Sequence, residues 1–266
     1  MSTNPTTPMG VTPRPPEIEN SAFTDVVELP SKGIFYAHKK GEVVIELMTA
    51  LDENILTSPN LIRNNTQFDV LLRQKIKDPD FNVDELLRGD KDTLLLFLRC
   101  TSYGTEFPVT VFDPFTSESF ETTVDLSRIT AKELDDEYQP EEDGMFSFTL
   151  PKSGKKVRFR LLTEKEETTL ARTIDAKAKR MGGIAHTVTD RLKAQLVEFD
   201  GITERMRIAL AVDRMLVKDS YELRLFMHEV EPGLDTNYEF VSPTTGETFH
   251  QQITFGIRLF YPSAKL

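Results

Sequence analysis

One turn is written twice in this chain. "VFDPFTSESFETTVDLS" (111–127) and "FVSPTTGETFHQQITFG" (240–256) align without a gap, setting Pro114 against Pro243, Thr116 against Thr245, Glu118 against Glu247 and Phe120 against Phe249. Past the turn, Val124 and Leu126 match Ile253 and Phe255 at period 2, the spacing of a half-buried strand returning from a hairpin. Two ordinary Pro-containing turns would explain each stretch separately, because Pro presets φ and Gly or Ser follows it. They would not explain matched flanks. The pattern predicts two related units produced by an internal duplication.

The opposite ends of the two units repeat as well. "ELPSKGIFY" with "GEVVIELMTALDENIL" (41–56) corresponds to "TLPKSGKKVRFRLLTEKEETTL" (149–170). Each has Leu-Pro, a small turn with Gly33 or Gly154, a period-2 strand, and then a threonine. Thr49 with Asp52 and Thr163 with Glu166 have the spacing of a capping box, so a helix is expected to start after each threonine. In the first unit, Asn82 and Glu85 predict a short capped helix ended by Gly89, and Asp90 caps a second helix through "DTLLLFLRCTSYG". The "RGD" at 88–90 reads as this cap pair rather than as an adhesion tripeptide. In the second unit, helices are expected near 164–180, 186–199 and 203–216, broken at Gly182-Gly183 and Asp200-Gly201. A last helix starts at Asp219, in the place that "DTLLLFLR" holds in the first copy. The fold class is α+β, each unit carrying a strand pair, a helical insertion and a terminal β-hairpin.

Around these units the organisation is simple. Residues 1–22 hold five prolines and few apolar groups, which predicts an extended or disordered arm. The first unit is 23–128, an acidic linker covers 129–145 with "KELDDEYQPEED" at its centre, and the second unit is 146–266. Like charges so dense favour an extended, solvated linker. Its spacing lacks the glycine and bidentate glutamate of a calcium loop.

Composition removes several function classes. The net charge is −11, which disfavours binding to phosphate backbones; the basic run 151–160 alternates with apolar residues and reads as a strand with a solvated face. Cys100 is the only cysteine, so one chain can form no internal disulfide and no multi-thiolate zinc site; inside an apolar helix it is expected to be a buried, inert thiol. The longest unbroken aliphatic or aromatic run is far below a membrane span, and a soluble protein of a reducing compartment is expected. No Gly-x-Ser-x-Gly elbow, P-loop, dinucleotide turn or His-Glu-x-x-His is present. No catalytic residues and no cofactor are predicted. Exposed apolar patches around Phe226-Met227 or Met206 to Met215 are candidate contact surfaces, although core packing is the simpler account of these residues.

The repeated turns have the outline of a Cys-Pro-x-Cys-Gly knuckle with both cysteines replaced. The former ligand positions are Asp113, Thr116, Ser242 and Thr245, and the turn-forming residues are Pro114, Ser117, Pro243 and Gly246. Two such knuckles would furnish the four ligands of a zinc ribbon. Only Asp113 is an ordinary ligand, so a metal-free ribbon is expected.

The blocks "LPSKGIFY", "ELMTALDENILTSPNLI", "DELLRGDKDTLLLFLRCTSYG", "LPKSGKKVRFRLLT" and "FGIRLFYP" together resemble the baseplate hub protein family of contractile-tailed, T-even-like bacteriophages. The likeness spans roughly residues 28–262; this chain departs from the cysteine knuckles that members often carry. The resemblance implies a structural role in the tail baseplate hub, through contacts with other hub and tail tube proteins in a three-fold assembly. It implies a virion location after assembly in the host cytoplasm and no enzyme activity, while net charge and the short apolar runs predict no nucleic-acid or membrane partner. An assembly chaperone absent from the mature virion is the alternative, and a nucleic-acid-binding zinc-ribbon descendant a remote one.

Overall fold

The computed structural model describes residues 23–132, 136–180, 183, 185–254 and 259–260. The proline-rich arm, Asp135, Gly182 and Phe255 lie outside the described residues. Helices and small antiparallel sheets share one hydrophobic core, so the chain is α+β.

The chain enters through β1 (Thr24–Glu28), which pairs antiparallel with β2 (Glu42–Glu46), Val26 opposite Val44. Period-2 alternation turns Val27, Val43 and Ile45 into the core while Val26 and Val44 face outward. Helices α1 (Ala50–Leu56), α2 (Pro59–Asn64) and α3 (Gln67–Lys75) follow, and then α4 (Arg88–Tyr103). The Leu94, Leu95 and Leu98 side chains of α4 are buried at helical spacing, each such burial contributing about 1.5–3 kcal/mol. Cys100, on the same helix, is half-buried rather than fully enclosed, and burial pushes its thiol pKa up. The unit closes with a hairpin of β3 (Glu106–Phe112) and β4 (Ser119–Asp125).

The second half starts with β5 (Phe146–Thr149) and β6 (Lys156–Phe159). Helices α5 (Glu164–Arg180) and α6 (Thr187–Gln195) lead to β7 (Leu196–Phe199), which adds a third strand beside β6. Helix was expected through 199. Instead Leu196 and Phe199 are buried as strand residues, and the Gln195 carbonyl accepts from the Arg160 N–H at 3.1 Å, which carries the chain from helix into sheet. Then come α7 (Arg205–Asp213), α8 (Val217–Val230) and the hairpin of β8 (Asn237–Val241) with β9 (Thr248–Gln252).

Two expected helix ends are corrected. Asp90 and Asp219 are not N-caps: α4 begins at Arg88 after Leu87, and α8 at Val217 after Leu216. Gly89 ends no helix. It lies in the first turn of α4, where an added Cβ would sit 2.1 Å from the Pro232 carbonyl oxygen. Its role is to let the end of the last helix close against the start of α4. The segment before it, Val83–Glu85, is a single 3₁₀ turn, with Asn82 accepting from the Asp84 N–H at 3.1 Å.

The acidic stretch is tied down where it is described. Glu141 and Asp143 each contact Arg158 at 2.7 Å, and the Tyr138 ring packs edge-on against Phe226 at 5.2 Å. Lys132 donates to the carbonyls of His228 (2.7 Å) and Glu229 (2.6 Å) at the end of α8. Arg158, supplied by the second half, offsets part of the like-charge repulsion that predicts a free linker.

Candidate functional site

The two knuckle turns meet. Ser242 Oγ donates to Asp113 Oδ2 at 2.6 Å across 129 residues of sequence, and both residues are 1% exposed. Each turn is built by the same four bonds. The N–H of the first residue donates to the carbonyl of the sixth: Asp113 to Glu118 at 2.8 Å and Ser242 to Glu247 at 2.9 Å. The N–H of the fifth returns to the carbonyl of the first: Ser117 to Asp113 at 2.9 Å and Gly246 to Ser242 at 3.0 Å. The side chain of the first accepts from the N–H of the fourth: Thr116 to Asp113 Oδ1 at 3.3 Å and Thr245 to Ser242 Oγ at 3.1 Å. The hydroxyl of the fourth accepts from the sixth: Glu118 to Thr116 at 3.4 Å and Glu247 to Thr245 at 3.3 Å.

The fifth residue is left-handed in both turns, Ser117 at φ 61° and Gly246 at φ 75°. Glycine reaches that region freely and serine does so at a cost, so the turn geometry rather than the residue type dictates the conformation. Pro114 and Pro243 preset the second position. The Phe249 ring then packs edge-on against Phe115 (6.0 Å) and Phe120 (6.5 Å) of the facing hairpin.

This junction suits a hydrogen-bonded clasp better than a metal. Its donors are one carboxylate and three neutral hydroxyls, whereas structural zinc is held by thiolates and imidazoles. Both Asp113 oxygens are occupied by protein donors, and Ser242 Oγ both donates and accepts. No group of three or more His, Cys, Asp or Glu that could hold a metal occurs among the described residues. Burial opposes ionisation of Asp113, but the Ser242 hydroxyl and the N–H groups of Phe115 and Thr116 outweigh it and hold its carboxyl below the usual carboxylate range.

A second pair of buried aspartates works in the same register. Asp90 accepts from the Ser31 N–H at 3.0 Å and from the Tyr36 hydroxyl, which itself accepts from the Leu87 N–H at 3.0 Å. Asp219 accepts from the N–H groups of Lys152 (2.7 Å) and Ser153 (3.2 Å). In each half the third residue of the last helix thus holds the Leu-Pro turn that follows the first strand. Asp90 and Asp219 are separated by the same 129 residues as the knuckles. Burial raises the pKa of Asp90 against the bonds from Ser31 and Tyr36 that favour its ionised form, and burial likewise drives the Tyr36 hydroxyl far above its ordinary range. Asp90 and Asp219 were visible in the sequence only as helix starters; their constant spacing to Asp113 and Ser242 was the signal for a shared structural task.

The helix-start residues complete the scaffold. Glu166 accepts from the Thr163 N–H at 3.0 Å while Thr163 Oγ1 accepts from the Glu166 N–H at 3.3 Å, and Arg160 grips the same carboxylate at 2.7 and 2.8 Å. Asp52 accepts from the Thr49 N–H at 2.7 Å and pairs with Lys75 at 2.6 Å, both side chains nearly excluded from solvent. Burial of Asp52 disfavours its charge, but Lys75 and Thr49 prevail and keep it below the usual range. Thr163 also bridges to Leu87, and the Glu164 N–H donates to the Leu86 carbonyl at 2.9 Å, fastening one half to the other.

No family model matches this chain, and neither a curated protein nor a solved structure matches it. No helix among the described residues is long and apolar enough to cross a membrane.

Proposed function

We propose that this chain is a structural component of the central hub of a phage tail baseplate, acting through protein–protein contacts in tail assembly rather than through catalysis. The observation that carries the reading is the use made of the buried polar groups. Asp90, Asp113, Asp219 and Ser242 each fasten one chain segment to another, in two matched pairs. A part that must keep its shape while neighbours pull on it is served by such cross-links, because a buried group tied to a charged partner is costly to open. The segments that resemble the baseplate hub family are the ones involved: "LPSKGIFY" supplies Ser31 and Tyr36, "DELLRGDKDTLLLFLRC" supplies Asp90, and "LPKSGKKVRFRLLT" supplies Lys152 and Ser153.

On this reading the chain arose by tandem duplication. Its paired hairpins are a ribbon in which the Ser242–Asp113 hydrogen bond takes the place of a metal. The four repeated turn bonds and the shared spacing of the aspartates support it. In the virion the chain would sit among other hub and tail tube proteins around a three-fold axis. Mass spectrometry of purified tails tests the assignment: the chain recovered in stoichiometric amount supports a permanent hub part. Its absence from tails, combined with failed hub assembly when it is deleted, would instead make it an assembly factor that departs. Normal tails without it would remove the reading altogether.

A further inference from the structure

We propose that α7 and α8 form a docking face for an amphipathic helix of a partner protein whose apolar stripe is bordered by Asp and Glu. The inference comes from the surface of this chain alone and goes beyond the tail assignment. Met206 and Leu210 on α7, four residues apart, are exposed, as are Leu216 and the helical series Val217, Tyr221 and Leu225 on α8. Val217 is 84% exposed and Met206 75%, and Leu210 of α7 and Leu216 at the start of α8 line one shared depression. The α8 series runs about 12 Å along the helix axis at 1.5 Å per residue, a length that two turns of a partner helix can cover.

The face includes a depression. Apolar side chains including Leu210 and Leu216 line a cavity of about 340 Å³ between α7 and the β6–β7 end of the sheet, together with Lys155, Arg207, Arg214 and the Asp219 carboxylate. Neither guanidinium has a carboxylate or hydrogen-bond partner among the described residues, the Arg214 backbone N–H alone donating to the Ala211 carbonyl at 3.2 Å. Three acids of α7 and α8 are already engaged: Asp213 with Lys193 at 2.6 Å, Glu222 with Lys218 at 2.5 Å, and Asp219 with the Lys152–Ser153 turn; Glu204 at the start of α7 is exposed. In a chain of net charge −11, three cations, Lys155, Arg207 and Arg214, share this recess with the one carboxylate of Asp219. They select a partner that brings an apolar side chain together with carboxylates.

The helix that holds the corresponding aspartate in the first half offers a comparison. Asp90 and Asp219 fix equivalent positions on α4 and α8, so Val217, Tyr221 and Leu225 correspond to Arg88, Asp92 and Leu96. In α4 the first two are charged and lie 3.9 Å apart, and Leu96 is buried. The two helices therefore differ at these positions: α4 carries charge and a buried leucine, whereas α8 presents exposed Val217, Leu225 and Tyr221, the last with the Arg224 guanidinium 5.9 Å from its ring centre.

The test uses the full chain and two fluorescein-labelled synthetic peptides, both with leucines at helical i, i+3, i+4, i+7 spacing, one flanked by Glu and the other by Lys, read by anisotropy. The Glu peptide is expected to bind and the Lys peptide to bind more weakly. The triple variant Leu210→Ser, Val217→Ser, Tyr221→Ser should weaken binding at least about tenfold. The pair Arg207→Glu and Arg214→Glu should reverse the preference towards the Lys peptide. All these residues are exposed, so an unchanged melting temperature in both variants establishes that only the face has been altered. Failure of both peptides to bind, equal binding of the two, or an unreversed preference in the arginine variant overturns the proposal. So does a chain that sediments as a dimer and becomes monomeric on Leu210→Ser, because a second copy would then be the occupant.

Discussion

Replacing either clasp aspartate with alanine is expected to destabilise the chain, and the two substitutions should differ in a defined order. Asp219→Ala removes the acceptor for two N–H groups, at 2.7 and 3.2 Å. A hydrogen bond to a charged acceptor contributes about 1.5–3 kcal/mol. The Lys152–Ser153 turn is exposed, so water can reclaim both donors once the carboxylate is gone. The net loss should then be about 2–3 kcal/mol. Asp90→Ala strands the Ser31 N–H, 2% exposed, and the hydroxyl of Tyr36, 7% exposed, where water does not reach. Two buried donors left unsatisfied at about 1–3 kcal/mol each place this loss nearer 3–5 kcal/mol. Calorimetric melting of the purified chain should register a fall of roughly 2–4 °C per kcal/mol, larger for Asp90→Ala. The reasoning is refuted if Asp219→Ala costs as much as Asp90→Ala or more, or if both change stability by less than about 0.5 kcal/mol.

Three further outcomes follow from the same geometry. The folded-state pKa of Asp90 is raised, so the folded chain holds a proton that the unfolded chain releases above about pH 3.9; its stability relative to Asp90→Asn should therefore fall as pH rises through the range above that value, and urea unfolding at several pH values would contradict this if the advantage grew instead. Lys75→Met leaves the Asp52 carboxylate buried without its 2.6 Å partner and should cost about 3–5 kcal/mol, part of which is regained in Lys75→Met with Asp52→Asn, as measured by urea midpoints. Cysteines at all four knuckle positions (Asp113→Cys, Thr116→Cys, Ser242→Cys, Thr245→Cys) should create a tetrahedral site that takes one zinc per chain and gives the visible spectrum of thiolate-bound cobalt, whereas the unaltered chain should take none; zinc retained by the unaltered chain would reject the metal-free ribbon.

Features set by neighbours in sequence were readable in advance. The turn residues Pro114, Ser117, Pro243 and Gly246 and the partners Thr49–Asp52 and Thr163–Glu166 act within a few residues; the return strands form too but stop at Asp125 and Gln252, so Leu126 opens a 3₁₀ turn and Ile253 lies beyond β9. What distant segments decide was not. Leu196–Phe199 is a strand because β6 offers a free edge beside it, and apolar periodicity over so few residues cannot separate that from a helix end. An aspartate in the first turn of a helix looks the same whether it caps its own backbone or, like Asp90 and Asp219, reaches back to a turn some 60 residues earlier. The linker acids Glu141, Glu142 and Asp143 are exposed, as their charge density suggested, but the grip of Arg158 on two of them comes from a strand the local sequence does not show. Of the two apolar patches, Phe226-Met227 proved to be core-packed, whereas Met206 and Leu210 are exposed.

The contact between Gly89 and Pro232 bears on the order of events at the ribosome. A polypeptide emerges from its amino end, so the first turn of α4 is synthesised long before the residues that cover it. The close packing over Gly89 cannot form before Pro232 has been synthesised, so the surroundings of the first turn of α4 are completed by a segment from far along the sequence.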